Sequence, residues 1–214
     1  MPPQTNKPTA PAVRDPDRTR RRILDAALKE FSANGFAGAR VGGIARRAKV
    51  NKRMLYHYFG NKEDLFREML RDKLASRGQR FHTFSADLVE GLPLLFEQNH
   101  QDADWVRLLG WESLQTSGGR VQDEAGRRAR AAATNALIRR QQAAGKIMAG
   151  IQPEHFHVVM TSLTIFPVAF QQLTRIITGK SASDPAFRRD YAHFLKQVAA
   201  AFRPQRRRVK TSGR

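Results

Sequence analysis

Apolar residues recur along this chain at helical spacing, and no stretch alternates in the strand pattern over a useful length. The first predicted helix runs from Pro16 to about Asn34. Asp15 is its N-cap, proline occupies the first helical position, and Gly35 ends it as a C-cap glycine. Its buried stripe is Ile23, Leu24, Ala27, Leu28 and Phe31. The pattern as a whole predicts an all-α fold.

The next stretch, Val41 to Phe59, reads as two short helices separated by a three-residue break. Its apolar positions are Val41, Ile44, Ala45 and Ala48 before the break and Leu55, Tyr58 and Phe59 after it. Asn51 is a good N-cap for the second helix. This arrangement is typical of a helix-turn-helix, whose second helix lies in the major groove of DNA.

The second of these short helices has a polar face that suits DNA. The residues expected on it are Lys52, Arg53, Met54, Tyr56 and His57. Cations and aromatic groups with polar atoms match phosphates and base edges. A helical hairpin with a solvated basic face is the simpler alternative.

A longer helix is predicted from Lys62 to about Arg80, after Gly60 closes the recognition helix and Asn61 caps the next one. Its apolar side is Leu65, Phe66, Met69, Leu70 and Leu74. Its start belongs to the helix-turn-helix unit and its remainder to the next domain, so it is the natural mechanical link. On its polar side, we expect Arg71, Lys73 and Arg77 to be solvated.

The rest of the chain predicts helices near 87–99, 103–116, 121–145, 153–178 and 185–202. Pro153 and Pro185 fit first helical positions, Asp184 caps the last helix, and Pro167 should kink or split its own. Asp102 and Asp104 look like charges at a helix start. The predicted organisation is a disordered arm (1–14), a DNA-binding domain (15–61), a second helical domain (62–203) and a basic disordered tail (204–214).

The formal net charge of +19 is unevenly distributed. Residues 1–60 hold 13 basic and 4 acidic residues, residues 61–202 hold 19 and 15, and residues 203–214 hold 6 and none. A polyanion engaged by the N-terminal domain explains this distribution. The arginines that crowd the start of the first helix are either a solvated cluster or DNA contacts; they are Arg18, Arg20, Arg21 and Arg22.

Several function classes are not supported by the residues. The chain has no cysteine, so disulfides and thiol chemistry are excluded. The histidines lack partners at metal-ligand spacing, and no catalytic motif is found, so we expect no metal, no cofactor and no enzyme activity. No apolar run is long enough for a bilayer or a secretory signal, and we expect a cytoplasmic protein with no membrane partner.

The segment from Arg20 to Leu65 resembles the DNA-binding domain of the TetR (tetracycline repressor) family. The matching landmarks are ILDAALKEFSANGF, IARRAKVNK and LYHYFGNKEDL. The family usually has Thr or Ser at Arg40, Gly at Lys49, and Ser or Thr at Asn51. Arg40 therefore loses a hydroxyl cap but gains a cation, and Lys49 occupies a turn position that favours glycine. The resemblance implies that these three residues and Lys62, which matches a frequent phosphate contact, lie near DNA.

The resemblance also implies that residues 62–203 form a ligand-binding and dimerisation domain, whose helices enclose an apolar ligand cavity. The candidate pocket residues are Trp105, Leu108, Trp111, Gln115, His157, Thr161 and Thr164. Plain core packing is the alternative for most apolar residues in this region. The aromatic and aliphatic content suits a hydrophobic effector.

The last helix has an aromatic-rich stripe, namely Phe187, Tyr191, Phe194, Val198 and Phe202. Both core packing and a subunit interface fit this stripe. The family resemblance favours a two-fold homodimer that is built as a four-helix bundle from the last two helices of each subunit.

Together these expectations describe a ligand-responsive transcription regulator, most simply a repressor. It would bind a palindromic operator in double-stranded DNA as a homodimer and be released by a small hydrophobic effector. The basic tail suggests a second class, a DNA-coating or architectural protein with no sensed ligand. A helical small-molecule enzyme is a third, motivated only by the possible cavity.

Overall fold

The computed structural model describes residues 15–84, 87–115 and 123–204, and these residues form ten α-helices and no strand. The predicted arm (1–14) and the predicted tail beyond Pro204 lie outside the described residues. The helices are α1 Pro16–Gly38, α2 Val41–Arg47, α3 Lys52–Phe59, α4 Lys62–Phe84, α5 Leu92–Gln101, α6 Ala103–Gln115, α7 Glu124–Ala143, α8 Pro153–Ala169, α9 Gln171–Thr178 and α10 Pro185–Ala201.

Four predicted helix starts are confirmed by their side-chain caps. In α4, Asn61 Oδ1 accepts the backbone N–H of Asp64 at 2.8 Å. The carboxylate of Asp15 accepts hydrogen bonds from two backbone N–H groups of the first turn of α1. Asn51 Oδ1 accepts one at 2.7 Å in α3, and Asp184 Oδ1 accepts one at 2.7 Å in α10. Each cap satisfies a donor that the helix itself leaves unpaired.

Other helix boundaries differ from the prediction. Gly35 has the expected positive φ of 66°, but one further helical turn follows it and α1 ends at Gly38 rather than near Asn34. A turn replaces the predicted first residues of α5, which begins at Leu92. The predicted helix 153–178 is split, as Pro167 suggested, although the break falls at Phe170.

The break between α8 and α9 is sharp, because the two helices meet at 90°. Within the described residues, no single helix is long and apolar enough to span a membrane. The α8–α9 pair would have sufficient length and apolar composition only if its two bent halves are counted together.

One continuous core joins the N-terminal helices to the rest of the molecule. Ile23, Phe31, Ile44, Leu55 and Leu65 are fully buried where α1, α2, α3 and the start of α4 meet. Helix α1 also packs against α6, and α5 packs between α8 and α10. Two elements, α1 and α4, therefore connect the helix-turn-helix to the C-terminal helices.

Candidate nucleic-acid interface

The turn between α2 and α3 is closed by backbone hydrogen bonds and strained at one residue. The N–H of Val50 donates to the carbonyl of Ala45 at 3.0 Å. Lys49 has a φ of 54°, the left-handed conformation that the sequence comparison with the TetR turn glycine predicted. A side chain there raises the energy of the folded state by roughly 1 kcal/mol.

Arg40 begins α2 without a side-chain cap, as expected, and its own backbone N–H is bonded by Glu30 of α1. Glu30 Oε1 accepts the backbone N–H of Arg40 at 3.2 Å and the amide of Asn34 at 3.2 Å. Gly43 leaves room for this carboxylate, because a Cβ there would lie 3.0 Å from it. Sequence reasoning missed the contact, since the acceptor comes from another helix ten residues earlier.

Helix α3 separates its apolar and polar faces clearly. Leu55 and Phe59 are buried against the core, and Met54 is half-buried. The side chains left exposed are Lys52, Arg53, Tyr56 and His57. Two cations, a phenol and an imidazole thus occupy the outer surface of a helix that is anchored by its other side, which suits contacts with phosphates and bases.

The remaining predicted DNA-contacting residues differ in their availability. Arg40 and Lys49 are exposed, whereas the side-chain oxygen of exposed Asn51 is engaged in the α3 cap. Lys62 is half-buried: its Nζ donates to the carbonyl of Ala37 at 3.3 Å and lies 4.9 Å from the ring of Phe36. Lys62 therefore already has contacts within the protein.

Two of the four arginines at the start of α1 are bonded to α4. Arg20 pairs with Glu68, and Arg21 Nη1 lies 2.6 Å from the carboxylate of Asp72. Arg18 and Arg22 are exposed. The α1 arginines therefore divide into two that pair with α4 and two that are accessible to a polyanion.

A buried ion-pair network ties α4 to the corner between α5 and α6. Asp102, whose side chain is 7% exposed, accepts bonds from Lys73 Nζ at 2.6 Å and from Arg77 Nη1 at 2.8 Å. Arg77 Nη2 also donates to Asn99 at 2.8 Å. The expectation that Lys73 and Arg77 are solvated is therefore wrong, because their side chains are only 16% and 19% exposed. Asp102 does lie at the start of α6, as predicted, where its carbonyl accepts the N–H groups of Trp105 and Val106, but its carboxylate also binds these two cations.

A second carboxylate on the same corner reaches α1. Asp104 pairs with Lys29 and accepts a hydrogen bond from Ser32 Oγ at 3.1 Å. Trp111 of α6 donates its indole N–H to the carbonyl of Ser32 at 3.1 Å. Burial acts to raise the pKa of Asp104, but these hydrogen bonds and the nearby cations, mainly Lys29, together hold it below its ordinary value.

The predicted pocket residues lie in different environments. Trp105 and Leu108 are buried, and the buried hydroxyl of Thr164 donates to the carbonyl of Met160. Thr161 is exposed, and Trp111 is 37% exposed. The half-buried ring of His157 contacts Asn135 of α7 at 2.9 Å, and burial lowers its pKa. The described contacts do not join these side chains into one site, and the side chain of Gln115 lies outside the described residues.

Most of the predicted dimer stripe packs inside the subunit. Phe187 is buried and stacks on Tyr191, whose hydroxyl donates to the carbonyl of Leu163 at 2.9 Å. Phe202 packs edge-on against Phe156, and Val198 is half-buried. Phe194 is 44% exposed. Core packing therefore accounts for Phe187, Tyr191 and Phe202.

The protein belongs to the helix-turn-helix transcription regulators, as both parts of the chain show. Residues 23–69 match the family model of the bacterial regulatory proteins of the tetR family, and residues 87–202 match that of the tetracyclin repressor-like C-terminal domain. The second match covers more than half of the chain, so the protein is a member of the TetR family.

Curated relatives agree with this assignment. The chain is 31% identical to the HTH-type transcriptional repressor SCO4008 of Streptomyces coelicolor over 168 residues, which are 78% of this chain and 88% of that protein. It is 29% identical to the HTH-type transcriptional repressor NicS of Pseudomonas putida over 206 residues, 92% and 97% of the two chains.

Solved structures share the fold. The crystal structure of SCO4942 from Streptomyces coelicolor superposes with a TM-score of 0.73 at 24% identity, over 88% of this chain and 99% of the other. FadR from Bacillus subtilis, solved with stearoyl-CoA, gives a TM-score of 0.61 at 19% identity, over 82% and 96%. The predicted all-α fold and DNA-binding regulator class are confirmed, and the family consists of transcription regulators, not enzymes.

Proposed function

We propose that this protein is a repressor that binds a palindromic operator as a homodimer and leaves it when a small effector binds. The exposed face of α3, held by the buried Leu55 and Phe59, carries this proposal. Relatives that are named as repressors support the sign of regulation. Because its proposed target is DNA, the repressor would act in the cytoplasm.

In the proposed complex, base edges are approached by Lys52, Arg53 and His57, because these side chains lie on the exposed face of the recognition helix. Tyr56, Arg40 and Lys62 hold phosphates on either side. Lys62 must exchange its bond to the Ala37 carbonyl for a phosphate oxygen, which is a stronger, charge-assisted acceptor.

The experiment is a footprint on the DNA upstream of the protein's own gene, followed by titration of the protected site with Lys52→Ala and Arg53→Ala. We expect one discrete palindrome, and each substitution should weaken binding by roughly 1–3 kcal/mol and relax preference at one position of each half-site. Arg140→Ala, which removes an exposed arginine from α7, is the matched control.

Two results would contradict the proposal. Diffuse coverage without a palindrome would favour the architectural alternative. Unchanged affinity and selectivity in both variants would mean that α3 is not the recognition helix.

We assign the dimer interface to the outer surface of α8 and α9, together with Phe194 of α10. The apolar side chains exposed there are Val159, Phe166, Phe170, Leu173, Ile176 and Ile177. A concentration of exposed apolar side chains of this kind is typical of a subunit interface. We assign a second copy of the chain as the occupant, because an operator palindrome requires two-fold symmetry.

Release by effector requires that ligand binding changes the spacing of the two recognition helices, which must match about 34–36 Å or a multiple of it on one face of DNA. Helix α4 runs from the α3 side of the core to the network around Asp102, so movement of the α5–α6 corner is transmitted to it. The coupling is reciprocal, and operator DNA should weaken effector binding by the same factor.

A further inference from the structure

Two arginines from different helices flank one buried indole. The guanidinium carbon of Arg77 lies 5.4 Å from the centre of the Trp105 ring, and that of Arg127 lies 5.8 Å from it. Trp105 is 5% exposed, and both arginine side chains are about one-fifth exposed. Helices α4, α6 and α7 thus bring two cations to one largely dry location.

The charges in this cluster do not cancel. Lys73 and Arg77 share the carboxylate of Asp102, whereas Arg127 pairs with Glu112 at 2.6 Å. Among the described contacts of this cluster, three cations therefore face two carboxylates. All 19 Asp and Glu residues of the chain belong to the described ranges, so the rest of the sequence offers no further acid to balance the count.

Asp123, one turn before Arg127, is also attracted to it electrostatically. However, this carboxylate is 41% exposed and accepts a hydrogen bond from Nη2 of Arg130 at 2.8 Å. It is therefore committed to another arginine at the surface. An excess cation that is largely removed from water is unfavourable unless an anion is supplied.

One N–H donor of Arg127 has no partner in the described part of the protein and would be satisfied by such an anion. Its Nη1 bonds to Glu112, but its Nε–H is buried and has no hydrogen-bond partner among the described residues. A guanidinium presents its donors in a planar fork that matches the two oxygens of a carboxylate or phosphate.

We propose that the effector carries a carboxylate or phosphate group, which binds the guanidinium of Arg127 beside Trp105. This inference rests on the proposed effector-released function and revises the purely hydrophobic effector expected from composition. The anion completes the charge balance of the cluster. Arg77, which contacts the same indole, bonds to Asp102 and thereby ties α4 to the α5–α6 corner.

Glu112 already bonds Nη1 of the same guanidinium and so competes with an anion for its charge, which gives opposite expectations for two variants. Arg127→Gln removes the anion's partner. Glu112→Gln removes its competitor and leaves the cation in place. A general loss of stability cannot weaken binding in one variant and strengthen it in the other.

The test measures the affinity of full-length protein for benzoate and for inorganic phosphate by calorimetry, at constant ionic strength. Benzamide serves as the uncharged counterpart of benzoate. We expect binding of at least one anion and no binding of benzamide. Affinity should fall about tenfold or more in Arg127→Gln and rise about tenfold in Glu112→Gln, as charged hydrogen bonds are lost or released. The probe that binds more tightly indicates whether the site prefers a carboxylate or a phosphate group.

Arg128→Gln is the matched control, because this neighbouring arginine on α7 is 80% exposed and pairs only at the surface with Glu124. It should bind both probes like the parent. If Arg127→Gln does not fold, Arg127→Gln combined with Glu112→Gln removes both charges of the pair and should bind neither anion.

Equal affinities in the parent and the Arg127 variants, no rise in Glu112→Gln, or no anion binding by the parent would overturn the anion site. These results would leave operator binding untouched, since the footprint tests it without any ligand. Loss of the discrete footprint with intact anion binding would instead overturn the proposed function alone.

Discussion

The carboxylate of Asp102 lies 2.8 Å from Nη1 of Arg77 and thereby joins the α5–α6 corner to the helix that begins beside the recognition domain. Two residues later, Asp104 joins the same corner to α1 through Lys29. One short turn therefore contacts both helices that connect the helix-turn-helix to the C-terminal part. A displacement of this turn reaches the DNA-binding unit by two routes.

Asp102→Asn should lower the free energy of unfolding by roughly 3 kcal/mol, because it leaves two largely buried cations without their shared counter-charge. Urea unfolding followed by circular dichroism measures this change. The control is Glu124→Gln, which breaks a surface pair between side chains that are 46% and 80% exposed. It should change stability by less than about 0.5 kcal/mol. Equal effects of the two substitutions would mean that the Asp102 network is not a buried constraint.

Asp104 should make stability depend on pH in the acid range. Its folded-state pKa is lowered, so its contribution is fully present above the unfolded pKa, about 3.9, and is lost as pH falls through the folded pKa. In Asp104→Asn, the free energy of unfolding should therefore decrease less steeply as pH is lowered from neutral to acid. Urea unfolding at a series of pH values measures this slope. An unchanged slope would show that the Lys29 and Ser32 contacts do not favour the ionised form.

Replacing Lys49 should separate backbone strain from charge. Lys49→Gly should stabilise the protein by roughly 1 kcal/mol, because glycine adopts a φ of 54° without a steric penalty. Lys49→Asn should recover part of this gain, and Lys49→Ala none. Thermal unfolding reports stability, and any loss of operator affinity common to all three variants reports the missing cation. A glycine variant no more stable than the alanine variant would refute the strain at this turn.

Ile176→Asp should weaken the homodimer, because it places a charge in the apolar α8–α9 surface assigned to the partner subunit. Ile176 is 77% exposed in the isolated subunit, so the subunit fold itself should tolerate the change. Sedimentation velocity over a dilution series measures dissociation. Leu114→Asp, on α6 at 78% exposure, is the matched control and should sediment like the parent. Equal dissociation constants for the two variants would place the interface elsewhere.

The sequence by itself was sufficient for features that depend on neighbouring residues. The Asn51 cap and the division of α3 into a buried and an exposed face follow from short-range spacing and local backbone preferences, whereas the positive φ at Lys49 was implied by the family resemblance. The family landmarks lie in this same local segment, which is why the helix-turn-helix was predictable from the sequence.

Only the tertiary structure decided the partners of charged and aromatic residues far apart in the chain. Helical periodicity marks Lys73 and Arg77 as polar and Phe187 and Tyr191 as apolar, but it does not specify which helix will cover them. Packing of α4 against the α5–α6 corner buries the two cations with Asp102, while α5 and α8 cover the aromatic face of α10. Burial depends on contacts between elements dozens of residues apart, and a one-dimensional pattern does not contain that information.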